Sequence, residues 1–122
     1  MKRLWLLASI GLSGCPEPVD TGKAILNDSG AWQGVACDSS PSVTWENWGQ
    51  GFFTTHCQGC HASTAPDRYG APEGVDFDNL ADLRQWHDRV RVRVLEEEDM
   101  PPAGGISEDE LFLLGVLLDC GL

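Results

Sequence analysis

Basic residues are scarce in this chain: eight Lys and Arg stand against 19 Asp and Glu, a formal charge of −11. A nucleic-acid interface built on a basic face is thereby excluded, and a partner with a positive surface fits better. Long apolar runs are also missing. The one candidate, residues 4–12, is too short to cross a bilayer. Methionine is nearly absent, Met100 being the only one beyond Met1, and histidine occurs only at 56, 61 and 87. No nucleophile and base pair and no proton relay stands out, so catalysis by this chain alone is not expected. No internal repeat is visible. The 122 residues, 42% of them hydrophobic, suffice for one domain with one core.

The beginning of the chain reads as a targeting segment rather than as fold. Lys2 and Arg3 precede the short apolar run, as in an export signal. The run closes on Leu12-Ser13-Gly14-Cys15, which resembles the lipobox of bacterial lipoproteins. That resemblance implies removal of residues 1–14 and a lipid on Cys15, which would tether the protein to a membrane and face it to the periplasm. Each buried methylene of such an anchor contributes about 0.8 kcal/mol. Pro16, where an Asp would mark inner-membrane retention, favours the outer membrane. Residues 15–42 are rich in Pro, Gly, Ser and Asp and read as a flexible tether, the stretch from Pro16 to Ala36 having a reach on the order of 25 Å. Docking of Ile25 or Trp32 onto the domain is the alternative. Residues 43–122 are then the folded domain.

Three helices are expected within it. The first starts at Ser42 or Thr44 and presents Trp45, Trp48, Phe52 and Phe53 on one face. Gly49 and Gly51 weaken it by about 1 kcal/mol each relative to Ala, so close approach of another helix should compensate. The second spans residues 79–97, with Leu80, Leu83, His87, Val90 and Val94 in a stripe and Asp78 as a candidate cap. Its segment 89–94 alternates Arg and Val as a strand would, but the stripe continues through it. The third opens with the capping box of Ser107 and Glu110 and runs through the apolar residues 111–118, which should be buried.

Cys57-Gln58-Gly59-Cys60-His61 carries the chemistry. Two thiols can bond the two vinyl groups of a haem while the imidazole between them and the next turn points at the iron, and this spacing is specific for c-type attachment. The sequence around it resembles the class I monohaem cytochrome c family over residues 44–119. Family members carry a Gly eight residues and an aromatic four residues before the first haem cysteine, and Gly49 and Phe53 stand there. The resemblance implies an all-α cytochrome c fold of three to five helices around one covalent haem c, with residues 111–118 crossing at Gly49 and Gly115 allowing close approach.

Met100 is the candidate sixth ligand. Pro101 pushes it towards extended backbone, hence onto a loop, as the family's ligand Met requires. His87 is the competing ligand and would give a bis-imidazole site of lower potential. Arg89 and Arg93, four apart, are candidates for the haem propionates. The acidic run Glu96, Glu97, Glu98 and Asp99 is a candidate docking surface for a basic redox partner. With Cys15, Cys57 and Cys60 assigned, Cys37 and Cys120 remain, and an oxidising compartment would pair them.

The expected function is electron transfer by a haem with His61 and Met100 as axial ligands. Two other readings remain open: a haem sensor whose Met100 yields to a small ligand, and a structural metal lipoprotein using Cys57, Cys60, His61 and His56.

Overall fold

The computed structural model describes residues 25, 26, 28–30 and 32–122. The export signal, the lipobox and Cys15 lie outside the described residues. Two strands open the fold, β1 (Ile25–Leu26) and β2 (Trp32–Gly34), paired antiparallel with Ile25 opposite Gly34. Helices α1 (Gln50–His56), α2 (Leu80–Val90) and α3 (Glu108–Cys120) follow, and a single π-helical turn continues α1 backwards (Trp45–Gly49) and α2 forwards (Arg91–Glu96). The expectation of an all-α cytochrome c fold is therefore corrected: the molecule is a small mixed fold of helices and a short antiparallel hairpin. None of the helices among the described residues is long and apolar enough to cross a membrane.

The hairpin also corrects the tether. Trp32 is 8% exposed and belongs to the core, so the packed domain reaches back at least to that residue. Its ring lies against Gly115 of α3, where any Cβ would collide with it. Gly115 thus accommodates the indole of Trp32 rather than the first helix. Asp119 fastens the hairpin a turn later, accepting the Val35 N–H at 3.1 Å and pairing with Arg91. Cys37 and Cys120 form a disulfide, with their Cα atoms 5.6 Å apart.

Helix starts follow from side-chain chemistry. Thr44 begins the first helical stretch with a reciprocal box: its hydroxyl accepts from Asn47 N–H at 3.2 Å, and Asn47 Oδ1 accepts from Thr44 N–H at 2.8 Å. Ser107 and Glu110 do the same for α3. The cap of α2 is Asn79, whose Oδ1 takes the N–H groups of Ala81 and Asp82. Asp78, the sequence candidate, instead accepts the N–H of Ser63.

Segment 89–94 is helical, because α2 and its π-helical turn bury Leu83, Val90, Val94 and Leu95 along one side. A strand there would have kept Val90 and Val94 on one face but turned Leu95 to the other. Gly49 is buried against α3, a Cβ at this position meeting Leu117 Cδ2 at 2.9 Å, so this glycine has the packing reason expected of it. Gly51 has none: a Cβ there meets nothing within 4 Å. Phe53, fully buried, joins Trp45, Phe52 and Phe77 at ring-centroid distances of 5.2 to 5.6 Å and links α1 to the loop beyond it.

Candidate functional site

The pentapeptide sits where α1 runs out. Cys57 N–H still bonds Phe53 O at 2.9 Å, after which Cys60 N–H and His61 N–H both turn back to Cys57 O at 3.1 and 2.8 Å. This tight turn gathers Cys57, Cys60 and His61 at one end of the helix. Both cysteines are free of disulfides and half-buried. Burial, and secondarily the neighbouring Cys60, pushes the Cys57 thiol up to about 12. The thiol is therefore protonated at neutral pH, unlike the acidic thiols that drive disulfide exchange.

His61 is oriented by one hydrogen bond. Its Nδ1 donates to Val75 O at 2.8 Å. A carbonyl can only accept, so in the neutral imidazole the ring proton belongs to Nδ1 and Nε2 keeps its lone pair. That is the tautomer a metal-ligating imidazole needs, with its second nitrogen held by the shell outside the metal. Phe77 packs edge-on against the ring at 5.5 Å, and its N–H bonds His61 O at 2.9 Å.

The Val75 carbonyl is itself held, and by a residue that sequence reasoning missed. Arg68 donates to Ala62 O at 2.8 Å, Ala71 O at 3.3 Å, Pro72 O at 2.7 Å and Val75 O at 3.1 Å. It also pairs with Asp76 at 2.8 Å. One guanidinium with five fixed donors thus rivets loop 62–77 and positions the acceptor of His61.

Met100 is half-buried and packs against the same core as Cys57. Its loop hangs from the end of the second helical stretch, with Asp99 N–H and Met100 N–H both bonding Arg93 O at 3.0 and 3.2 Å. Beside it lies a cavity of about 100 Å³ lined by Val94, Ile106 and Leu111 among others. The donor set fits a c-type haem: two unpaired thiols, an imidazole with Nε2 free, and a thioether in an apolar wall. The cavity as it stands is smaller than the roughly 300–1,000 Å³ usual for a cofactor site.

The other candidate residues are otherwise engaged. Both ring nitrogens of His87 have partners, Nε2 donating to Leu118 O at 3.0 Å and Nδ1 lying 2.9 Å from Asp88 Oδ1, so this side chain ties α2 to the end of α3. Arg93 pairs with Glu97 at 3.2 Å and Asp99 at 2.8 Å, which answers how four acids are tolerated at a helix C-terminus. Arg89 is exposed. The His56 ring is engaged by Glu110 at 3.1 Å, and among the described residues no three His, Cys, Asp or Glu side chains are arranged to hold a metal ion. The structural metal reading has no support in that arrangement.

Glu110 does two jobs, closing the cap of α3 and binding His56. Hydrogen bonds from the Ser107 backbone, then the His56 ring and the Ser107 hydroxyl, lower its carboxyl to about 2. Because the folded value lies below the unfolded one, this stabilisation is complete above pH about 4.5 and is lost as the pH falls towards 2. The side chain is about one-third exposed, so solvent screens part of the effect. In urea titrations, Glu110→Gln is expected to flatten the loss of stability over that acid window and to lower stability at pH 7. An unchanged acid slope would show that Glu110 is not the responsible group.

No family model matches the chain, and neither a curated protein nor a solved structure is similar to it.

Proposed function

We propose that this protein is an electron carrier with one covalently attached haem c, held by thioethers from Cys57 and Cys60 and axially ligated by His61 and Met100. The observation that carries the reading is the His61 Nδ1 bond to Val75 O within the C-x-x-C-H turn, because it leaves Nε2 as the only free nitrogen of an imidazole tied to two available thiols. The haem would supply reversible one-electron redox chemistry, and a thioether ligand favours its ferrous form. The chain's own residues bind, orient and shield it. Arg68 fixes the loop that aims His61, the Phe77 ring limits rotation of the imidazole, and Val94, Ile106 and Leu111 make the surroundings of Met100 apolar. The proposal includes export and a lipid on Cys15 that holds the domain at a membrane, the outer membrane favoured, and a basic protein as the redox partner.

Expression together with haem maturation machinery, followed by a haem-stained denaturing gel, tests it. The wild-type band should stain, and the double variant Cys57→Ala, Cys60→Ala should not. An unstained wild-type band of full abundance would overturn the assignment.

A further inference from the structure

A cleft of about 640 Å³ runs along the first helical stretch, and its lining does not include Cys57, Cys60 or His61. Its lining includes Glu46, Trp48, Gly51, Phe52, His56 and Glu110. Trp48 is half-buried and stacks on Phe52 with ring centroids 4.7 Å apart and planes 24° from parallel, so one wall is a rigid aromatic face. Two carboxylates flank it. Glu46 is exposed and has no ion-pair partner among the described residues, and Glu110 stays ionised through the neutral range.

Gly51 is the second observation. It lies inside α1 with ordinary helical backbone, where glycine weakens the helix, and a Cβ would meet nothing within 4 Å. Packing therefore does not explain it. It is exposed and lines the cleft, where a side chain would take up open space.

Glu110 already bonds His56 and Ser107, which leaves Glu46 as the carboxylate without an ion-pair partner beside the aromatic face. An aromatic face next to such a carboxylate is a pattern that binds an organic cation, through the ring quadrupole and charge together, and Trp is the best ring for it. The chain's charge of −11 favours approach of a positive partner. The acidic run 96–99 competes poorly, since Arg93 already pairs with Glu97 and Asp99. We propose that this cleft is the docking site for an arginine side chain projecting from a basic partner protein. As an identification of the redox partner's foothold, the proposal rests on the electron-carrier reading, because α1 leads from the cleft directly to Cys57; the cation site itself does not.

The test uses the ferrous haem-loaded protein, labelled with nitrogen-15 and titrated with a capped Gly-Arg-Gly peptide, with Gly-citrulline-Gly as the uncharged match. The arginine peptide should shift the Trp48 indole and Gly51 amide signals, weaken with added salt and bind at least tenfold tighter than the citrulline peptide. Trp48→Ala and Gly51→Leu should each weaken binding tenfold or more. Gly51→Leu removes a helix-weakening glycine at an open position, so its melting temperature should not fall, which separates a filled cleft from an unfolded one. Shifts centred on residues 96–99, equal binding of the citrulline peptide, or wild-type affinity in Gly51→Leu would overturn the proposal. Equally tight binding of choline would assign the cleft to small cations and likewise overturn a protein partner. A protein that fails the haem stain yet binds the arginine peptide in the cleft would retain the cation site and remove the carrier reading.

Discussion

Replacing Cys37 and Cys120 together by serine is expected to lower the unfolding free energy by roughly 4–5 kcal/mol. The bridge closes a loop with a sequence separation of 83, and on the chain-entropy model a loop of that size restricts the unfolded ensemble by about this amount. Both cysteines are exposed, so the serine hydroxyls can be hydrated and add little penalty of their own. Since a domain of this size is stable by only about 5–15 kcal/mol, the loss would bring the midpoint of unfolding within easy reach of mild denaturant. Urea titration of the oxidised wild type and the double variant measures it. A difference below about 1 kcal/mol would mean that the bridge does not restrain the unfolded chain.

Trp32→Ala should cost about 3–5 kcal/mol, the range for truncating a large buried aromatic. Among the described residues, the indole is the one large buried side chain that the hairpin brings to the core, and it fills the space Gly115 leaves open. Trp32→Phe should cost less: it keeps an aromatic body and deletes an indole N–H that has no hydrogen-bond partner in the structure. Gly115→Ala in the wild type should itself destabilise by about 1–3 kcal/mol, because the new methyl is driven into the ring. Combined with Trp32→Ala, the same Gly115→Ala should become almost free of cost, since its methyl then enters the vacated space. A double-mutant cycle in urea reads this coupling directly. Simple additivity of the two changes would refute the contact as the reason for the glycine.

What could be read from the chain and what could not divide along physical lines. The box at Ser107 was legible because a cap is a contact between residues three apart, written in the sequence as a polar pair, whereas the choice of Thr44 over Ser42 and its partner Asn47 emerged only in the structure. Asn79 was missed in favour of Asp78 because both are good caps and spacing does not separate neighbours. The hairpin was missed for another reason. Its strands have two and three residues, too few for any periodicity, and what orders them is Trp32 and Cys37 meeting α3, contacts more than 80 residues away. At the site, the C-x-x-C-H turn was legible outright, and the Gly49 packing partly so, its partner being Leu117 where Gly115 was expected. Arg68 was invisible. Four of its five acceptor residues offer backbone carbonyls, which every residue possesses, so no pattern in the sequence marks them.

The way the hairpin is pinned also sets where the chain enters the domain. Ile25 pairs with Gly34, and Gly34 lies next to Asp119, so the chain enters the domain beside the last turn of α3. Glu110 marks the first turn of that helix, roughly 13 Å further along its axis at 1.5 Å per residue. The first helical stretch runs back along α3, from Val43 beside Gly121 through Gly49 beside Leu117 to His56 beside Glu110, so the cleft extends along that helix rather than sitting at its far end. The Glu46–Trp48 end of the cleft is therefore level with the turn of α3 where the chain enters, and only its His56 end lies a helix length away.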